Sequence, residues 1–304
     1  MKMYTECIAC QVQVRFRDIE KLVEDEDSRF EIMKEVIRYL NNILTLCRSR
    51  LDNQCVPTVI ATNLFRIIKN ATNIEDPYKE VKKQANEEAL KLYKSLKKVV
   101  EGINDLKDKL YTAIKISLIG NLIDLGVAGY RAPEVSKVVN LVNDLEVLGD
   151  LELCLGILSK SKKIAMILDN AGEAVFDRIL ADVLRSGGKH VIAIVKGGAF
   201  QNDVTYLDVE DAELRFSFNE IYSTGTDASS IFVEEVDESI LKILKNVDVI
   251  VSKGMANYEY ITEVESLLGI PIIYLLVAKC HPVAKDLGVP LGRAVIKVSG
   301  YLVR

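Results

Sequence analysis

Four side chains in the second half of the chain have the types and placement for chemistry on a phosphate: Asp169, Asn170, Asp203 and Lys253. Asp169 and Asn170 follow the apolar run Ile164–Leu168, Asp203 comes shortly after the run HVIAIVK, and Lys253 closes VDVIVS. Two carboxylates and a carboxamide are hard oxygen donors. They suit Mg²⁺ or Mn²⁺ in a site that leaves room for water and a substrate phosphate. Lysine is a compact point charge suited to a phosphate oxygen. Gly254 frees the backbone to approach an anion, and Asn257 and Tyr258 follow it in GMANYE as candidate substrate contacts. The loop Ser223–Ser230 (STGTDASS) offers N–H and hydroxyl donors, Thr224 among them, before a helix. Metal donors, a lysine and a donor loop are the equipment for phosphoryl transfer, where charge stabilisation does most of the work. Each residue also has a plainer reading. Asp169 and Asn170 can turn the chain and cap the next helix, Asp203 can cap VTYLDVED, and Lys253 can be a solvated loop lysine.

The elements that must position these groups follow from hydrophobic period. Short apolar runs bounded by turn residues read as buried parallel strands: Ile164–Leu168, His190–Val195, Ala212–Phe216, Val247–Val251, Pro271–Val277 and Ala294–Val303. Helical patterns lie between several of them, at Ala174–Arg185, Ile231–Leu244 and Ile261–Leu268. Strands alternating with helices predict a parallel sheet covered on both faces. In such sheets ligands bind at the carboxyl ends of the strands, which is where the four residues stand. Before residue 160 the pattern is almost wholly helical. It includes a Lys/Glu-rich stretch at Tyr78–Val100, read as a solvated surface helix, a helix at Leu106–Leu125 ended by Gly126, and another at Glu134–Leu148. The expected division is a helical region over residues 1–155 and an α/β metal-binding domain over 156–304, packed as one unit.

Composition sets limits. The 304 residues carry 44 acids against 39 bases, a net charge of −5, with no basic block, which argues against nucleic acid as a partner. No apolar run approaches the roughly 20 residues of a membrane-spanning helix. The first residues lack the apolar core of a signal peptide, so the cytoplasm is the expected location. Six cysteines are too sparse for a disulfide scaffold and are read as mostly reduced. Cys7-x-x-Cys10 with Cys47 and Cys55 is a candidate structural metal site of low weight, because the second spacing matches no familiar zinc ribbon.

Taken together, DNAGE at 169–173, NDVT at 202–205, KGMANYE at 253–259 and GNLID at 120–124 resemble the domain-of-unknown-function 89 family, the damage-control phosphatases. CIAC at 7–10 is similar to its prokaryotic branch. The resemblance spans nearly the whole chain. It implies a helical N-terminal part packed on a three-layer α/β/α sandwich with a mostly parallel sheet. It also implies a divalent-metal-dependent phosphatase of small phosphometabolites, sugar phosphates or damaged and side-product phosphates, using Mg, Mn, Co or Ni. Carried over by motif, Asp169, Asn170 and Asp203 would hold the metal and Lys253 the substrate phosphate, with Asn121 and Glu173 in or beside the site. Met255 and Glu259 depart from the eukaryotic pattern, so substrate preferences do not transfer. Attack by a metal-activated water is favoured over a phospho-aspartate at Asp169. Haloacid-dehalogenase phosphatases place a second aspartate two residues on, and here that position is Ala171. Two other readings stand beside this one: an S-adenosylmethionine-dependent carboxyl methyltransferase, for which DNAGE offers a single glycine, and a non-catalytic metal- or phosphometabolite-binding protein.

Overall fold

The computed structural model describes residues 1–47, 49, 55–122 and 135–300. Helices α1 (Thr5–Leu22), α2 (Glu26–Leu46), α3 (Pro57–Thr72), α4 (Lys79–Glu101), α5 (Leu106–Leu122) and α6 (Val135–Asp144) come first. A short strand β1 (Val147–Gly149) and α7 (Leu151–Lys160) lead into the alternating part. That part runs β2 (Lys163–Ile167), α8 (Glu173–Ser186), β3 (His190–Val195), β4 (Glu220–Ser223), α9 (Glu238–Lys245), β5 (Val249–Lys253), α10 (Gly254–Leu268), β6 (Ile272–Val277), α11 (His281–Leu287) and β7 (Ala294–Ser299). Among the described residues the sheet has the order β1-β7-β6-β5-β2-β3-β4. Every neighbouring pair is parallel except β6 and β7.

The strand sequences alternate between two cores, as a period of two requires. Ile164 and Met166 of β2 pack with helices α4, α5, α7 and α8 on one face. Ala165 and Ile167 pack with α9, α10 and α11 on the other. This is the expected three-layer α/β/α sandwich. Helices α1 to α3 share a smaller core of Ile19, Val36, Leu40, Ile60, Leu64 and Ile68. No helix among the described residues is long and apolar enough to cross a membrane.

Several expectations are corrected. Ala212–Phe216 is not a strand; Leu214–Phe216 is a 3₁₀ turn, and β4 lies further on at Glu220–Ser223. The alternate burial of Ala212 and Leu214 that imitates a strand comes from a turn. Arg178 Nη1 donates to Ala212 O at 3.2 Å, and Glu213 adopts a left-handed φ of +51°. β4 is an edge strand, half-buried throughout, so it lacks an apolar run. In Ile231–Leu244 only Glu238–Lys245 is helical, because Ile231 and Phe232 enter the core from a loop. The pattern Glu134–Leu148 contains both α6 and β1. Helix α4 is not merely a solvated surface helix: Ala85, Ala89, Leu92 and Leu96 are buried at helical spacing, and so are Lys82 and Asn86. Cys47 and Cys55, expected to be reduced, form a disulfide across the α2–α3 connection with Cα atoms 6.0 Å apart. The expected helix end at Gly126, the helix start at Glu134 and the tail of the last strand after Gly300 lie outside the described residues.

Candidate active site

Strands β5, β2 and β3 are consecutive in the sheet, so their carboxyl ends share one rim. Asp203 lies beyond β3 but is returned to that rim by the backbone. Val204 N donates to Asp169 O at 2.8 Å and Ala171 N to Asn202 O at 2.9 Å. An antiparallel bridge pairs Asn170 with Asp203. Asp169, Asn170 and Asp203 are therefore adjacent although two of them are 33 residues apart in sequence.

Helices α5 and α8 supply the wall behind them. They approach closely at Gly120, where a Cβ would fall 2.9 Å from Phe176 and 3.2 Å from the Cα of Glu173. This contact sets Asn121 over the acids. Its Nδ2 donates to Glu173 Oε2 at 2.7 Å and to Asp169 Oδ2 at 3.3 Å, and its Oδ1 accepts Val277 N–H at 3.2 Å. Asn170 Nδ2 donates to Asp169 Oδ2 at 2.7 Å and Glu173 Oε2 at 3.1 Å. Gly254, at φ +75°, passes directly beneath the Asp169 carboxylate. A Cβ there would lie 1.9 Å from Asp169 Oδ2, so no other residue fits without displacing that side chain.

Lys253 is fully buried. Its ammonium is 3.0 Å from Glu173 Oε1 and 2.9 Å from Asp177 Oδ1, and it donates to Ser117 Oγ at 2.6 Å and Ser117 O at 3.0 Å. Ser117 in turn donates to Asp177 Oδ1 at 2.5 Å. The ammonium thus hydrogen-bonds Ser117 and ion-pairs with both carboxylates. On the other side Lys196, also buried, is 3.3 Å from Asp203 Oδ2.

Ser117, Asp177 and Lys196 were missed in the sequence. Ser117 and Asn121, like Glu173 and Asp177, are i,i+4 pairs on one helix face. Two polar pairs at that spacing in apolar helices are a signal that could have been read. Other expected residues do not join the cluster. Thr224 Oγ1 accepts Gly197 N–H at 3.0 Å and donates to Thr226 O, tying two loops together. Asn257 Nδ2 holds the carbonyls of Leu168 and Lys253, while its Oδ1 accepts from Ser230. Tyr258 packs edge-on against Tyr274 and donates to Asp286 at 2.7 Å. Cys7 is buried and receives Tyr4 N–H at the start of α1, while Cys10 is exposed. Burial pushes the Cys7 thiol up to about 12. With Cys47 bonded to Cys55, the four-thiolate set does not form.

Four buried carboxylates face two buried lysines, and the titration of the acids reflects it. Burial, then Glu173 and Asp203, raise Asp169 well above the usual carboxylate range. Burial lifts Asp203 to about 6 in spite of Lys196, and lifts Asp177 to about 6 in spite of Lys253. Burial opposes charge on Glu173 too, but Lys253, Lys279 and the amides of Asn121 and Asn170 outweigh it and hold that carboxyl low. Lys253 stays charged because Asp177 and Glu173 overcome its burial. Lys279, an exposed residue after β6, adds positive potential at both Asp169 and Glu173.

A pH prediction follows from Asp203. Its folded pKa of about 6 lies above that of a free aspartate, so the folded state holds the proton more tightly, and this contribution is lost as pH rises from about 4 through about 6. In chelator-treated protein, urea unfolding at pH 4 to 7 should show wild type losing roughly 1–3 kcal/mol relative to Asp203→Asn across that window. A pH-independent difference would show that Asp203 is not strained in its charged form.

The donor chemistry at this rim bears on a cation. Among the described residues no three His, Cys, Asp or Glu side chains form a metal cage by themselves. The donors available are Asp169, Asp203 and the carboxamide of Asn170, all hard oxygens. Asp203 Oδ2 is buried with Lys196 Nζ 3.3 Å away as an ion-pair partner but without a hydrogen bond, and four buried carboxylates against two lysines favour an added positive charge.

Comparison with known proteins identifies the family. The damage-control phosphatase ARMT1-like domain matches residues 3–295. A damage-control phosphatase of Archaeoglobus fulgidus is 32% identical over 307 residues, covering 98% of this chain and 99% of that protein. One from Pyrococcus horikoshii is 27% identical over 296 residues, covering 97% of each. The crystal structure of a DUF89 family protein from Pyrococcus horikoshii superposes with a TM-score of 0.84 at 27% identity, over 97% of this chain and 98% of that one. The chain belongs to the DUF89 family of damage-control phosphatase ARMT1-like proteins.

Proposed function

We propose that the chain is a divalent-metal-dependent phosphatase of small phosphometabolites. The observation that carries this reading is the convergence of Asp169, Asn170 and Asp203 at one rim. These three residues would hold the cation. When bound, a divalent ion there polarises a phosphoryl oxygen and lowers the pKa of a coordinated water. The protein's own groups do the positioning. Asn121 fixes the carboxylates of Asp169 and Glu173 against one another. Lys253 keeps Glu173 and Asp177 ionised and in place; with its N–H bonds taken inside the wall, it has none turned to a substrate. Our candidate for the cation that meets the substrate phosphate is Lys279, an exposed residue after β6 whose charge favours ionised Asp169 and Glu173.

The test is hydrolysis of an aryl phosphate and a panel of sugar phosphates by chelator-stripped protein, with Mg²⁺, Mn²⁺, Co²⁺ and Ni²⁺ added back in turn. Turnover should require metal. Lys279→Ala should raise KM about tenfold or more, the loss of one charge-assisted phosphate contact. Turnover that survives exhaustive metal removal would overturn the proposal. Metal binding without turnover on any phosphate ester would favour a binding protein.

A further inference from the structure

The turn that delivers Asp203 is gripped from the helical layer. Gln201 has a φ of +43°, a left-handed backbone that residues other than Gly, Asn and Asp seldom adopt, and it stands two residues before Asp203. Asp203 N donates to Phe200 O at 3.0 Å, closing the turn. Both residues preceding Asn202 are held. Gln201 Nε2 lies 3.4 Å from each carboxylate oxygen of Asp18 on α1. Asp18 is buried, pairs with Arg15 Nη2 at 3.1 Å and accepts the hydroxyl of Tyr78. Arg15 is itself buried, donates to Ala61 O at 2.9 Å, and lies 5.4 Å and 6.0 Å from the ring centres of Phe65 and Phe200. Phe200 packs edge-on against Phe65 at 5.3 Å.

We propose that Asp18 and Gln201 are positioning residues: the Arg15–Asp18 pair holds the Phe200–Asp203 turn in a conformation it would not keep alone, and so sets Asp203 beside Asp169 and Asn170. This rests on the reading of Asp203 as a metal ligand. Strained backbone beside a functional group persists where surrounding contacts over-determine it. Changing a residue that orients a metal ligand typically costs about 10–100-fold in metal affinity. The helical layer then governs the metal site without contributing a donor to it.

Two variants of the full chain test the clamp, each with two readouts. Gln201→Ala removes the contact to Asp18 while keeping the buried pair. Asp18→Asn removes the charge and leaves Arg15 without its counter-ion, so it is the more exposed to misfolding. In chelator-treated protein, amide hydrogen exchange at Ala171 and Asp203, whose N–H groups bond Asn202 O and Phe200 O, should quicken at least tenfold in Gln201→Ala, with the β2 amides unchanged. Calorimetric titration with Mn²⁺ should show a Kd weaker by about tenfold. Unchanged exchange at both amides together with unchanged Mn²⁺ affinity overturns the clamp, whatever happens to thermal stability. If wild type binds no Mn²⁺, the metal reading fails by itself, and exchange in Gln201→Ala alone decides whether the turn is held from the helical layer.

Discussion

Asp169→Ala should lower kcat at least about a thousandfold in the metal-supplemented assay, without unfolding the protein. Asp169 is the meeting point of the site. Asn121 and Asn170 donate to it, Gly254 passes beneath it, and Asp203 is brought to it by the return of the chain. No neighbouring carboxylate can replace it. Glu173 is held by Asn121, Asn170 and Lys253, and Asp203 by Lys196. The fold should tolerate the change, because burial and two nearby acids already disfavour its charge. Relieving that crowding in the metal-free protein should leave the unfolding midpoint the same or higher. A residual kcat within tenfold of wild type would remove Asp169 from the chemistry. A loss of activity accompanied by a loss of the folded circular-dichroism spectrum would leave its role to be read from Asp169→Asn, which keeps the volume and removes the charge.

Lys253→Met should cost about 3–5 kcal/mol of stability, the penalty for stripping a buried ion network of one sign of charge. The ammonium sits between Glu173 and Asp177, both of them buried. Without it, two carboxylates share a dry wall, Asp177 with Ser117 as its near donor and Glu173 with the amides of Asn121 and Asn170. The double variant Lys253→Met/Asp177→Asn should recover a substantial part of the loss, since one uncompensated charge then remains instead of two. Urea unfolding of the metal-free proteins measures both. If Lys253 instead served as an open phosphate ligand, stability would stay within about 0.5 kcal/mol and the change would appear in KM. The two roles are therefore separated by one pair of measurements.

What the sequence determined by itself was local. The apolar run Ile164–Leu168 ending at Asp169, with no polar residue inside, fixes a strand buried on both faces and a donor pair at its end. The runs after His190 and Val247 do the same for their neighbours. A helix with a clear 3.6 period, such as Ala174–Arg185, found at Glu173–Ser186, was legible for the same reason: it buries one face, and that face is written in the residue order. Where burial does not follow a simple period, the sequence misled. Ala212 and Leu214 imitate a strand because a turn buries alternate residues. Glu220–Ser223 hides a strand because an edge needs no apolar run.

The tertiary structure decided which of the polar residues meet. That β5, β2 and β3 are consecutive is a matter of topology that no window of sequence contains. That Asp203 returns to Asn170 depends on backbone pairing between residues 168–171 and 202–205. Lys253 read either as a phosphate ligand or as a solvated loop lysine, and its enclosure follows from the close approach of α5 and α8 at Gly120. Ser117, Asp177, Lys196 and Lys279 acquire meaning only from that packing, because a charge buried among apolar side chains is tolerated only where its partners converge from other elements.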